Sequence, residues 1–258
     1  MAINVDTVYQ TVLLILNKEQ RGYITPTEFN SLGTQVQLEI FEKYFEDLNQ
    51  QIRVPQTDTD YADRVKNLDE KINIFKTLGN AVYVSGTPSG TNTVVTYWSL
   101  PTLDSFGQQV TFYRLGTVIY NNEVELQRLD RHEFYHVKKS PLTKPSTTFP
   151  VYLFENNRLY VQPETIITQG DIQVDYIRKP IPPRWGFTVG NLGQYTFNAD
   201  EYNSSSMPTG STNFELHESE QTNVILQVLK YAGVIIRDPQ IVQDATQQVA
   251  INEQNEKS

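Results

Sequence analysis

The spacing of apolar residues changes period twice along the chain, from helical to alternating and back to helical. Between Asn4 and Asn17, Val5, Val8, Val12 and Ile15 recur at helical spacing, and Leu13, Leu14 and Leu16 widen the stripe. This predicts a helix buried on more than one side and ended by Gly22. Thr25-Pro26-Thr27-Glu28 then reads as a capping box, with Thr25 as N-cap, Pro26 at the first helical position and Glu28 at the third. The helix it opens is expected to reach about Gln50, with Phe29, Leu32, Val36, Ile40, Tyr44 and Leu48 along one face. Asp60 is positioned to cap a third helix with the face Tyr61, Val65, Leu68, Ile72 and Phe75, and Gly79 is its natural stop. Residues 1–79 thus form an expected N-terminal part of three amphipathic helices.

From Asn80 the pattern is that of strands. Ala81 to Val84 and Thr93 to Trp98 are β-branched and aromatic, joined by a polar turn from Ser85 to Asn92. Gln109 to Tyr113 and Thr117 to Tyr120 follow, separated by Leu115-Gly116, and Asn121-Asn122 turns into Glu123 to Gln127. Val151 to Phe154 and Arg158 to Gln162 flank Glu155-Asn156-Asn157, a short hairpin signal. Ile172, Val174 and Tyr176 alternate with Gln173 and Asp175, as on a half-buried strand. Pro180, Pro182 and Pro183 end that strand in an extended segment. Residues 185–213 are rich in Gly, Ser, Asn and Thr and predict a long arm, with a hairpin around Tyr195 to Phe197. Helical spacing returns in 214–258. Glu218 and Glu220 mark a helix start, and Val224 to Ile236 is apolar almost all the way round, which predicts burial on every side or a face that awaits another subunit. Asp238-Pro239 caps a last helix, which is expected to pack with its neighbour on the N-terminal helices. The predicted class is α+β: an N-terminal helical bundle, a central antiparallel β part (80–213) and C-terminal helices.

Composition narrows the function classes. The 258 residues include no cysteine, which removes disulfides and cysteine-based zinc sites. No apolar run is long enough to span a membrane and the Met1 end has no signal-peptide pattern, so synthesis in the cytosol without a membrane partner is expected. The formal net charge of −9 argues against a surface built to wrap nucleic-acid phosphate.

One stretch carries an apparent catalytic motif. His132-Glu133-Phe134-Tyr135-His136 matches the zinc-protease pattern H-E-x-x-H. On a helix, His132 and His136 share a face one turn apart and can hold a metal, while Glu133 polarises a water. A zinc metallohydrolase built on these three residues is therefore one reading. Against it, the helix runs within a few residues into Ser140-Pro141, the remaining histidine, His217, lies far along the chain, and Glu155 and Glu164 belong to a hairpin and its exit. The competing expectation is a short structural turn whose Phe134 and Val137 pack on the sheet, with no catalytic, cofactor or metal residues. Asp58, Asp60 and Asp63 lack the glycine and closing glutamate of a calcium loop. Lys138, Lys139, Lys144, Arg178, Lys179 and Arg184, near Trp185, are expected to make salt links to subunits or partners.

Four phrases together give the chain a family likeness: RGYITPTEFN (Arg21 to Asn30), HVKKSPLTKPSTTFPVYLFENNRLYVQPETI (His136 to Ile166), VDYIRKPIPPRW (Val174 to Trp185) and FELHESEQTNVILQVLKYAGVIIRDPQIVQ (Phe214 to Gln243). In these the chain resembles the head-to-tail connector (adaptor, or ring) proteins of short-tailed bacteriophages, most of all those of crAss-like phages. The resemblance implies a non-enzymatic virion protein without cofactors, made in the bacterial host cytoplasm. It implies a homo-oligomeric ring of twelve copies between portal and tail, contacting the portal and neighbouring connector proteins. DNA would pass through the ring without sequence-specific binding, which suits a negative chain. Another virion structural or DNA-associated role is the remaining alternative.

Overall fold

The computed structural model describes residues 2–18, 23–51, 64–86, 95–103, 109–203, 206–236, 243 and 245–251. The fold is α+β, with helices towards both ends of the chain and antiparallel and mixed sheets between them. It divides into two compact units, Met1–Ile74 with Pro180–Ser258, and Phe75–Lys179. Asp58, Asp60 and Asp63, the Gly22 stop, the turn beyond Gly86 and the Asp238-Pro239 cap lie outside the described residues.

The first unit is built on α1 (Val5–Lys18), α2 (Pro26–Gln51), α3 (Arg64–Asn73) and α5 (Gln221–Ile236). Asn4 starts α1, its Oδ1 accepting from the backbone N–H of Asp6 (2.8 Å) and Thr7 (3.1 Å). Val5, Val8, Tyr9, Val12 and Leu16 are buried, whereas Leu14 and Ile15 are exposed. The expectation that α1 is buried on more than one side is thus corrected: one stripe is covered, and Tyr9 rather than Ile15 completes it. At α2 the capping box forms as expected. Thr25 N–H donates to Glu28 Oε2 at 2.9 Å and Glu28 N–H donates to Thr25 Oγ1 at 3.3 Å. These bonds to Thr25 hold the Glu28 carboxyl below its usual range. Phe29, Val36, Ile40 and Tyr44 line the buried face of α2, with Phe41 and Phe45 beside them. Helix α5 lies against α1 and α2 and buries Val224, Val228, Leu229 and Ala232, while Ile225 and Leu226 are half-buried. A 3₁₀ turn, Glu218–Glu220, precedes it, and the Glu220 carboxylate is buried against Lys71 Nζ at 2.6 Å.

Residues 185–213 are not a free arm. Trp185 is buried, 4.5 Å from the Tyr9 ring between centroids, and stacks on Phe187 and Phe197. Its backbone exchanges hydrogen bonds with the Asn30 side chain, and its Nε1–H donates to Asp6 Oδ1 at 2.9 Å. Arg184 and Thr212 pair through two backbone hydrogen bonds, and Ser211 Oγ accepts from Gly186 N–H while donating to Asn198 O. The segment is polar because its backbone is satisfied by its own short side chains as it folds back. A hairpin, β10 (Phe187–Val189) with β11 (Tyr195–Phe197), projects from it, and Leu192 at its turn is 93% exposed.

The second unit packs two sheets. One has the order β1 (Lys76–Asn80), β9 (Ile172–Arg178), β4 (Phe112–Tyr120) and β5 (Val124–Glu125). The other has β2 (Val82–Gly86), β3 (Val95–Ser99), β8 (Arg158–Gln162), β7 (Val151–Glu155) and β6 (Gln127–Arg128). Every pairing is antiparallel except β6 with β7. Trp98, Tyr152 and Leu159 from one sheet meet Val118, Ile172, Val174 and Tyr176 from the other in a shared core. The alternation read along β9 is observed, with Ile172, Val174 and Tyr176 all buried. Asn121-Asn122 and Asn156-Asn157 each supply two residues at positive φ, the geometry a tight hairpin turn requires. Gly79 is not a helix stop but part of β1, since α3 already ends at Asn73. A Cβ at Gly79 would come within 2.8 Å of Pro101, so close packing inside the sheet explains the glycine. Leu115-Gly116 likewise lies within one irregular strand instead of separating two, where β4 bulges and a Cβ on Gly116 would stand 3.0 Å from Asp175 O.

Candidate functional site

The H-E-x-x-H residues occupy α4 (Arg131–Lys139), which lies on the outer face of the five-stranded sheet. Nine residues form no stable helix alone, so packing must hold this one. Phe134 is the anchor: it is buried with Val151 and Leu153, next to Leu129 and Tyr160. Truncating such an aromatic typically costs about 3 kcal/mol. Strand β7 is apolar on both faces for this reason, since Tyr152 serves the inter-sheet core while Val151 and Leu153 serve α4. Val137 is half-buried. Ser140 closes the helix, its N–H donating to His136 O at 3.0 Å, and Pro141 disfavours another helical residue at Ser140.

Two ion pairs fix the ends of α4. Arg131 grips Glu155 through both carboxylate oxygens, with Nε to Oε1 at 2.7 Å. Lys138 Nζ reaches Glu164 Oε1 at 2.5 Å. The Arg131 guanidinium holds the Glu155 carboxyl below its usual range, and Lys138, helped by Gln162, does the same for Glu164. Both carboxylates that follow the motif in sequence therefore stand near α4 but are engaged by its cations. Within the chain Lys138, one of the cations expected to make salt links, is bonded to Glu164. Arg178 lies over the Phe75 ring and Arg184 over Tyr202.

His132 and His136 project from one face of α4, as their spacing requires, and their Nε2 atoms are 3.2 Å apart. Both side chains are exposed, and the ring centroids are 4.4 Å apart. They open, with Glu133, onto a groove of about 840 Å³ whose other walls are the β5–β6 segment and the loop 142–150. That loop is shaped by Ser140 Oγ, which accepts from Thr143 N–H, and Ser146 Oγ, which accepts from Phe149 N–H. Leu142 and Phe149 stand 94% and 77% exposed at its edge. His217 caps the 3₁₀ turn before α5, with Nδ1 accepting from Ser219 N–H. Among the described residues no three His, Cys, Asp or Glu side chains converge as a metal cluster. The histidine pair is thus assembled, without a third protein ligand among the described residues.

No protein-family model matches the chain, and no curated protein matches it. Among the described residues no helix is long and apolar enough to cross a membrane.

Proposed function

We propose that the chain is a structural subunit of the head-to-tail connector of a tailed phage, assembling as a homo-oligomeric ring of twelve that joins portal to tail around the DNA passage. The reading rests on the four family-like phrases spread across the sequence. The observation that supports it best is the placement of exposed apolar residues on projecting segments. Val189 and Leu192 stand out on the β10–β11 hairpin, and Leu142 and Phe149 on the loop after α4. Such side chains gain by burial against another chain, at about 25 cal/mol per Å² of apolar surface. A closed ring of identical subunits supplies the contacts head to tail.

The test is assembly, followed by mass photometry and negative-stain imaging of the purified chain, alone and with the portal protein of the same phage. Closed rings are expected, and Leu192→Asp should reduce them without lowering the melting temperature of the subunit. A chain that stays monomeric both alone and with the portal refutes the proposal. A second reading, the zinc metallohydrolase of His132, Glu133 and His136, is favoured by the 3.2 Å approach of the two imidazoles. Zinc-dependent hydrolysis abolished by Glu133→Gln would establish it in place of the structural role.

A further inference from the structure

We infer that His132 and His136 form a two-ligand site for a borderline divalent transition metal (copper, nickel or zinc), independent of whether the chain builds rings or hydrolyses anything. The separation of the two nitrogens suits a chelate. Metal–imidazole bonds of about 2.0 to 2.1 Å put two ligand nitrogens about 3.3 Å apart at a tetrahedral angle, and about 2.9 Å apart at a right angle. The observed Nε2 separation of 3.2 Å falls between these values. In the metal-free chain the same separation suits one ring donating its Nε2–H to the other. Metal binding replaces that hydrogen bond, and the donating ring changes to the tautomer with its proton on Nδ1.

The helix that carries the pair is also held in place. Holding two rings on one metal requires a backbone that does not fray. Here Phe134 pins the middle of α4, Arg131 clamps its first residue to Glu155, and Lys138 clamps its last turn to Glu164. The histidine pair opens onto the groove beside Glu133, so water or an external oxygen or nitrogen donor fills the remaining coordination positions. Two imidazoles without thiolate or a carboxylate cluster favour copper over nickel and zinc, and exclude calcium and magnesium as preferred ions.

Isothermal titration of the full-length chain with Cu²⁺, Ni²⁺ and Zn²⁺ tests this. One ion per chain is expected, with copper tightest. His132→Ala and His136→Ala should each weaken binding at least tenfold, while His217→Ala changes it less than twofold. Both mutated side chains are exposed, so the metal-free melting temperature should stay within a degree of the parent. Zinc should raise the melting temperature of the parent and of His217→Ala but not of either other variant. Equal affinity in His136→Ala and parent, or binding lost only with His217→Ala, overturns the assignment.

Discussion

The Lys71–Glu220 pair offers the sharpest test of how the helical unit is held. Lys71 on α3 meets Glu220, 149 residues later, at 2.6 Å, and the side chains are 22% and 5% exposed. At an effective dielectric of about 20 the gross attraction is about 6 kcal/mol. Desolvation of both charges offsets most of that, so the net contribution of the pair is small while breaking one side is expensive. The two halves are unequal. Glu220 is nearly enclosed, and its other oxygen accepts from the Asn223 amide at 3.1 Å. The Lys71 side chain is partly exposed and lies over the Tyr44 ring, 5.6 Å from its centroid. Lys71→Met keeps the alkyl stem and strands a carboxylate, which should cost about 3 kcal/mol. Glu220→Gln leaves an amide for Asn223 and lets the ammonium turn to solvent, which should cost about 1.5 kcal/mol. The double variant should lose at least about 1 kcal/mol less than the sum of the two. Urea unfolding followed by Trp185 fluorescence, in a Trp98→Phe background, reads the helical unit that contains Trp185. If Glu220→Gln proves as damaging as Lys71→Met, or if the two effects simply add, the pair is not the fastening described.

Two further outcomes follow from local geometry. Thr25→Ala removes both partners that Thr25 Oγ1 offers to Glu28 and should destabilise the helical unit by about 1 kcal/mol, measured by chemical denaturation, whereas Thr25→Ser should be nearly neutral. Tyr231 donates its hydroxyl to Glu39, which, with burial, pushes its pKa up to about 12. Because the folded value lies above the unfolded one near 10, the stabilisation is complete below pH 10 and is lost as the pH rises towards 12. Tyr231→Phe should therefore lower stability at pH 8 and flatten its decline above pH 10, as read from urea midpoints across that range.

What could be read from the sequence was what neighbouring residues decide among themselves. The capping box at Thr25, the two Asn-Asn turns and the alternation of β9 all depend on contacts within a few residues, and each is present. What escaped depends on partners far away. Nothing near Trp185 announces that it packs on Tyr9 and holds Asn30 and Asp6, across intervals of 155 to 179 residues. Gln37 looks like a surface residue, yet it is buried, donating to Ile181 O and accepting from Glu215 N–H. Leu14 and Ile15 carry the hydropathy of core residues and face outwards. Side-chain type alone does not say which of several apolar positions a particular neighbour will cover.

The H-E-x-x-H stretch shows the same division inside a single site. Spacing alone implies that His132 and His136 share a helical face, and they do, with nitrogens at 3.2 Å. Spacing is silent on the acids. Glu155 and Glu164 sit by α4 because the β7–β8 hairpin returns there, and Arg131 and Lys138, the residues that flank the motif, take both of them. A metalloprotease needs its third ligand free, and here the nearby carboxylates are spent on fixing the helix. The same pairs that withhold a third ligand also steady the two imidazoles. Replacing Glu164 by Gln separates the two effects: it should loosen the last turn of α4 and weaken metal binding several-fold. A site in which Glu164 competed to be a ligand would instead lose nearly all affinity.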